Sequence, residues 1–204
     1  MQQNQNVLDA LLARSKEVFP DQQVQIEGKA RTLFTEYIKA EAGKPRALTM
    51  HTVEKIYPCI AFYKAASEYT NASEQAYAII EEFFEEESAV NAKKLQKLCR
   101  LPFVYRLVPR VMAGIIHRYF GTKSGFEMID HGTKRNVCHI DMIKCPYFSA
   151  CMEHGCPELT TVFCNADDIA YGNMHANLSW DRKKTLGRGD DRCDFILRVV
   201  KQKI

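Results

Sequence analysis

The sequence contains no run of about 18 apolar residues, the length a helix needs to cross a bilayer. Its longest apolar region, Leu101 to Phe120, is interrupted by Pro102, Arg106, Pro109, Arg110, His117 and Arg118. The first residues, Met1-Gln2-Gln3-Asn4-Gln5-Asn6, have neither a basic stretch nor an apolar one, so no secretory signal is expected. Neither sign of charge dominates, with 28 basic and 25 acidic residues. The net charge is +3, with no basic lobe in either half, which argues against a dedicated nucleic-acid binder. A phosphate-binding loop, a dinucleotide fingerprint and a G-x-S-x-G elbow are all missing. Together these absences predict a cytoplasmic protein that engages neither membrane nor nucleic acid. At 46% hydrophobic and 26% charged residues, the composition is that of a folded chain. A chain of 204 residues buries roughly 70% of its unfolded surface and forms a core without staples.

What the sequence has in plenty is cysteine. Eight occur, and Cys138, Cys145, Cys151, Cys156, Cys164 and Cys193 all lie in the last 84 residues. In a reducing compartment such a cluster indicates metal binding, catalysis or burial rather than disulfides. The spacings from Cys145 onward are six, five, eight and twenty-nine positions, with no C-x-x-C pair and no histidine pair at finger spacing. A structural zinc site of the usual kind is therefore not expected, and no metal or other cofactor is assigned. A trio of Cys164, Asp167 and Cys193 stays open as a metal site assembled from distant elements.

Residues 1–120 read as a helical region. Apolar residues recur at helical spacing over Val7 to Val18, Ile26 to Ala42 and Leu48 to Tyr69, where Pro58 marks a kink. A helix opens near Asn71 or Ser73 as cap and carries Ile79, Ile80, Phe83 and Phe84; another runs from Pro102 to Phe120. Residues 121–204 read as an α+β, cysteine-rich region. Strands are predicted over Phe126 to Asp130, Asn136 to Ile143, Leu178 to Leu186 and Cys193 to Val200, and helices over Pro146 to Met152 and Glu158 to Tyr171. The stretch Gly132-Thr133-Lys134-Arg135 suits a turn. The expected fold class is α+β: an N-terminal helical region packed with a C-terminal antiparallel sheet of about four strands with inserted helices.

The chemistry concentrates in three short motifs: Lys144-Cys145-Pro146, Phe163-Cys164-Asn165-Ala166-Asp167-Asp168, and Gly189-Asp190-Asp191-Arg192-Cys193-Asp194-Phe195. Each sets a thiol at or near an element end, beside a carboxylate or a proline. If Cys164 and Asp167 share a helix, their spacing of three puts them on one face. A thiolate there can act as nucleophile while the carboxylate holds a cationic group. A carboxylate alone raises a thiol's pKa, so a basic partner or a helix N-terminus must supply the activation. His139, between Cys138 and Ile140, is the candidate for the missing base. Arg182 and Arg188 flank Thr185-Leu186 near the last motif; they read as a solvated strand edge or, by arginine's two-pronged geometry, as a clamp for a substrate carboxylate. The plainer reading of any one cysteine is burial, most of all for Cys151 and Cys156. Trp180, the single tryptophan, reads as core or pocket wall.

The motifs taken in order resemble the L-2-amino-thiazoline-4-carboxylic acid hydrolase family. The resemblance rests on Cys145-Pro146, Gly155-Cys156-Pro157-Glu158-Leu159, Phe163-Cys164-x-x-Asp167 and Arg182-x-x-Thr185-Leu186-x-x-Gly189-Asp190-x-x-Cys193-Asp194-Phe195. Upstream, Tyr57-Pro58-Cys59-Ile60-Ala61-Phe62-Tyr63-Lys64-Ala65 followed by Ser73-Glu74-Gln75-Ala76 is similar to the family's helical portion. The chain departs from the pattern at Asn165-Ala166, where the family often has an acidic residue first. The resemblance implies a hydrolase acting on carbon–nitrogen bonds of a cyclic amidine, a 2-amino-thiazoline-4-carboxylate, to give a carbamoyl-cysteine. On that implication Cys164, Asp167, Cys193 and Cys145 form the catalytic set. Asp194 orients Cys193 or the backbone, and Arg182 meets the carboxylate, with His139 and Asp168 also at the substrate. The partner is a small molecule, and assembly into a homo-oligomer is left open. The alternative is a binding or sensor module with a thiol-lined pocket and no turnover.

Overall fold

The computed structural model describes residues 6–132, 134 and 136–201. Thr133 and Arg135 of the expected turn, and Met1 to Gln5, lie outside the described residues. The helical half runs α1 (Val7–Val18), α2 (Gln23–Ala40), α3 (Arg46–His51), α4 (Tyr57–Ala66), α5 (Ala72–Cys99) and α6 (Val108–Tyr119). The second half runs β1 (Glu127–Asp130), β2 (Val137–Lys144), α7 (Pro146–Glu153), α8 (Leu159–Tyr171), β3 (Leu178–Asp181) and β4 (Cys193–Val199). The fold is α+β, with a four-stranded antiparallel sheet in the order β1-β2-β4-β3.

Three helix boundaries differ from the periodicity, each for a local reason. The segment predicted as one helix around Pro58 is interrupted by a π-helical turn at Thr52–Ile56, where the Tyr57 N–H reaches back to the Thr52 carbonyl. Pro58 has no N–H to give, and its ring crowds the carbonyl four residues earlier, so the helix widens before α4. The sequence places the end of the fourth helix at its acidic residues Glu81, Glu82 and Glu85 to Glu87, but α5 continues to Cys99, because nothing after Glu87 breaks it before Pro102. The next helix starts at Val108, with Pro109 in its first turn, rather than at Pro102; Phe103 sits at φ 65° instead. Asn71 takes the N-cap position of α5, but its side chain makes no capping bond.

Two apolar cores result. One joins α1, α2, α4 and α5 to α7 and α8 through Leu8, Leu11, Ile26, Ile60, Phe62, Ile80, Leu159 and Val162. The other lies between α6 and the sheet and includes Ile116, Phe126, Ile140, Met142, Cys193 and Leu197. Strand register decides which residues face it. Met142 pairs with Cys193, Ile140 with Phe195 and Cys138 with Leu197, so these six side chains share the covered face. The pairs Asp141–Asp194 and His139–Ile196 share the opposite face. Tyr147, early in α7, packs against both cores. The carbonyl of Tyr119 can only accept, so His51 gives it the Nε2 proton at 3.2 Å and takes the Tyr147 hydroxyl proton on Nδ1, also at 3.2 Å. Burial lowers the His51 pKa, in keeping with a neutral ring.

One buried carboxylate ties the helices around the π-helical turn. The Glu41 side chain, 2% exposed, accepts from Lys44 Nζ at 2.6 Å, Thr52 Oγ1 at 2.8 Å and Tyr57 Oη at 3.0 Å. Burial pushes its pKa up, but these three donors outweigh burial and hold it below the ordinary value. A depressed carboxylate stabilises the fold above the unfolded-state pKa, and the contribution fades as pH falls through the folded-state value. Glu41→Gln should therefore cost about 2 kcal/mol at neutral pH, and the gap from wild type should close on acidification below about 4.5. Urea melts across that range check both parts; a gap that does not change with pH would remove the carboxylate from the account.

Candidate active site

The helix α8 carries Cys164 and Asp167 one turn apart, above the start of β4, where Cys193 opens the strand. The structure brings the two thiols together: Cys193 is set to donate its S–H to the Cys164 sulfur. A second donor is the backbone N–H of Gly187, in the 3-10 turn Leu186–Arg188. The close approach requires glycine. A Cβ at position 187 would fall 2.9 Å from Thr160 Cγ2 and 3.1 Å from Cys164 Sγ. The Cys193 thiol, the Arg182 guanidinium and the Gly187 amide together lower the Cys164 pKa, with burial and Asp167 opposing. Cys193 moves the opposite way, because it must keep its proton to donate and it is buried.

Arg182 lies beneath the thiols with its side chain 1% exposed. Its guanidinium donates to the Cys164 carbonyl at 2.5 Å, to Asp168 Oδ2 at 2.6 Å and to Asp167 Oδ2 at 3.4 Å. Phe195 and Trp180 flank it, with ring centroids at 5.5 and 6.0 Å. Trp180 Nε1 donates to the other oxygen of Asp168 at 2.9 Å. The fork of Arg182 is thus occupied by the protein's own acceptors. Asp168 holds Arg182 and Trp180 in place.

Asp167 shows two properties that belong together. Its side chain is 42% exposed, yet burial pushes its pKa up to about 6 against the pull of Arg182. The carboxyl is thus reached by solvent at its edge while packed protein surrounds the rest of it. Cys145, Tyr147 and Tyr171 lie within its electrostatic reach. Cys145 stands at the N-cap of α7, where the Tyr147 and Phe148 amides donate to its sulfur, but burial still pushes its pKa up to about 12. Of the three gathered thiols, Cys164 is the one whose surroundings favour the thiolate.

Asp194 points away from the thiols and holds backbone instead. Its Oδ1 accepts the N–H groups of Lys183 at 2.8 Å and Lys184 at 2.7 Å. Asp190 Oδ2 takes the Thr185 N–H at 2.8 Å, and Cys193 Sγ takes the Leu186 N–H at 3.3 Å. Residues 182–185, expected to continue a strand, are held mainly by these side chains, with a single backbone bond to β4, from the Asp194 N–H to the Lys184 carbonyl at 3.3 Å. His139 is not brought to the site. One residue after Cys138 on β2, it faces the opposite side of the sheet from Cys193. The site's Gly187, Tyr147 and Tyr171 had no motif to mark them; the only hint was a glycine just after Leu186. A separate groove of about 310 Å³, lined by Lys29, Leu33, Tyr37, Lys64, Ser67 and Glu68, has no cysteine on its wall.

A family model described as L-2-amino-thiazoline-4-carboxylic acid hydrolase matches residues 49–197. This span includes every thiol and carboxylate just described. No curated protein and no solved structure matches the chain.

The hydrogen bond between the thiols has a measurable consequence. Alkylation of Cys164 by iodoacetamide should rise with pH through a midpoint below that of an ordinary thiol, and Cys193→Ala should move the midpoint upward. Mass mapping of labelled peptides reads both. An unchanged midpoint in Cys193→Ala would mean that the partner thiol does not tune Cys164.

Proposed function

We propose that this chain, which belongs to the L-2-amino-thiazoline-4-carboxylic acid hydrolase family, opens a cyclic amidine ring of the 2-amino-thiazoline-4-carboxylate type through a covalent step on Cys164. The observation that carries the reading is the set of groups around that sulfur: a thiol donor, a backbone amide and a buried guanidinium, beside a partly exposed carboxyl one turn along α8.

A protonated amidine is both electrophilic at carbon and a donor of N–H bonds. Ionised Asp167 accepts from it and holds the ring carbon over the Cys164 sulfur. Attack forms a sulfur–carbon bond, and the amidine π electrons move onto nitrogen. The tetrahedral carbon then expels a ring heteroatom, which leaves with a proton. Asp167, poised near pH 6, is placed to pass that proton and to take one from the incoming water. Water adds to the same carbon, the Cys164 thiolate leaves, and a carbamoyl group remains on the opened product. The net change is one water gained. Cys193 supplies the hydrogen bond that makes Cys164 a competent leaving thiolate in the second half.

Arg182 is spent on internal acceptors, so the substrate carboxylate falls to Arg188. This residue follows Gly187, is about half exposed, and bonds Asn165 Oδ1 at 3.0 Å. Its one carboxylate contact among the described residues is the longer one to Asp168 Oδ2 at 3.7 Å, and Asp168 is already engaged by Arg182 and Trp180.

The test is incubation with L-2-amino-thiazoline-4-carboxylic acid, followed by mass spectrometry. Wild type should convert it to a product one water heavier. Cys164→Ala should lose at least about a thousandfold in kcat, and Asp167→Asn roughly 10²- to 10⁴-fold. Arg188→Ala should raise KM and largely spare kcat. Breaking the ring carbon–nitrogen bond leaves the carbamoyl group on sulfur; breaking the carbon–sulfur bond leaves it on nitrogen and frees a thiol. Titrating product thiols separates the two. Full turnover by Cys164→Ala would end the covalent reading.

A further inference from the structure

On the uncovered face of the sheet, His131, His139 and Asp141 form a cluster that the ring-opening chemistry does not use. Its geometry follows from strand register. The His131 N–H donates to the His139 carbonyl at 3.1 Å, which extends the β1–β2 ladder one pair past Asp130–Ile140. Residues directly opposite on antiparallel strands project to the same side. The two imidazoles accordingly stack, with centroids 4.1 Å apart and planes at 24°. Asp141 lies two residues along β2 from His139, on that same face. His131 Nε2 is 2.9 Å from Asp141 Oδ2, and His139 Nε2 is 3.6 Å from Asp141 Oδ1.

We propose that His131, His139 and Asp141 bind a divalent transition-metal ion of the zinc, cobalt or nickel type. One nitrogen from each ring and one carboxylate oxygen lie within 4.8 Å of one another, the only such trio found among the described residues. Bonds of about 2.0–2.1 Å to a tetrahedral ion place ligand atoms about 3.4 Å apart, so the widest pair must close by somewhat more than about 1 Å on binding. Both histidine side chains are more than a third solvent-exposed or nearly so and are free to adjust, while Asp141 is 8% exposed and fixed. A second observation points the same way. Asp141 Oδ1 is buried and has no hydrogen-bond partner. A carboxylate oxygen left in that condition is costly unless something cationic meets it. Two neutral imidazoles and one carboxylate suit borderline transition metals better than magnesium or calcium, which prefer all-oxygen sets.

One neighbour opposes the ion. Arg192 Nε lies 3.0 Å from Asp141 Oδ2. It is not aligned to donate a hydrogen bond there, and the same side chain also reaches Asp191 at 2.5 Å. Arg192 is thus a competing cation that a bound metal would displace from the carboxylate. The proposed ion sits across the sheet from Cys193, so it takes no part at the thiols. Its mechanical effect is to clip the residue after β1 to the centre of the sheet.

Full-length protein without a polyhistidine tag, stripped with chelator, is titrated with Zn²⁺, Co²⁺ and Ni²⁺ by calorimetry. Wild type should bind one equivalent with saturation and melt at a higher temperature when loaded. His139→Ala and Asp141→Asn should each weaken binding at least tenfold. Arg192→Gln should tighten it, a direction that loss of folding cannot mimic. The Cys164→Ala/Cys193→Ala double variant should bind as wild type does. Bound Co²⁺ should show ligand-field absorption without the intense thiolate-to-metal charge transfer. Unchanged iodoacetamide labelling of Cys164 confirms that the histidine and aspartate variants are folded. His139→Gln serves if His139→Ala is not. Absence of saturable binding overturns the proposal. So does binding that survives His139→Ala and Asp141→Asn but is lost in the double cysteine variant, because the ion then sits on the thiols.

Discussion

The arrangement of the second half depends on one buried cation. A guanidinium that is 1% exposed must be met by acceptors or it costs several kcal/mol, and removing one partner of such a pair typically costs 3–5 kcal/mol. Arg182 is met from three directions: by the Cys164 carbonyl, by Asp168 and, at longer range, by Asp167. Those bonds fix the face that α8 turns toward β4, and with it the position of the Cys164 sulfur. The two carboxylates are partly open to solvent, 42% and 34%, so their share of the electrostatic stabilisation is screened. The carbonyl and the aromatic flanks carry the burial. The same cation contributes a field that favours the thiolate. Fold and reactivity therefore draw on one charge.

A second thiol pair shows what a hydrogen bond between cysteines does without that charge. Cys151 and Cys156 are both fully buried in the helical core, and Cys151 donates to Cys156 as Cys193 does to Cys164. The pair has Lys64 at a distance but no buried guanidinium and no glycine amide on the sulfur. The carboxylate that acts on it, Glu158, opposes the thiolate. Cys151 and Cys156 fill space, as their helix-and-loop context indicates. The contrast separates what makes Cys164 distinctive: a partly exposed carboxyl one turn along α8, together with a buried cation that does not leave.

The α+β class, the four antiparallel strands and most helix centres are legible in the sequence, because apolar periodicity survives wherever one face is buried. Boundaries fail where the cause is not periodic. The π-helical turn before Pro58 and the late start at Val108 come from proline sterics acting on neighbours, and a spacing count does not register them. Within the site, the spacing of three between Cys164 and Asp167 is enough to place both on one face of α8. The strand positions are harder. Cys138 and His139 differ by one residue, and only the register of β2 against β4 reveals that the histidine faces away from Cys193. Arg182 reads in the sequence as a clamp for a substrate, since nothing in Asp181-Arg182-Lys183 announces burial; its acceptors, Asp168 fourteen residues away and the Cys164 carbonyl eighteen, meet it only after folding. Gly187 is visible as a turn residue, but the reason it must be glycine lies across the chain at Thr160 and Cys164.

The segment from Lys183 to Gly187 shares only one backbone bond with β4, Asp194 N–H to the Lys184 carbonyl, yet each of its five successive N–H groups meets a side-chain acceptor: Asp194 twice, then Asp190, Cys193 and Cys164. Side chains thereby do for this loop what a neighbouring strand does for a sheet. Backbone amides so engaged exchange with solvent slowly, so the loop carries the protection of an ordered element without its regular shape. It also counts residues. Inserting or deleting one between Asp181 and Cys193 would shift the amides off their acceptors together, which makes this irregular stretch less tolerant of length change than the turns that join the helices.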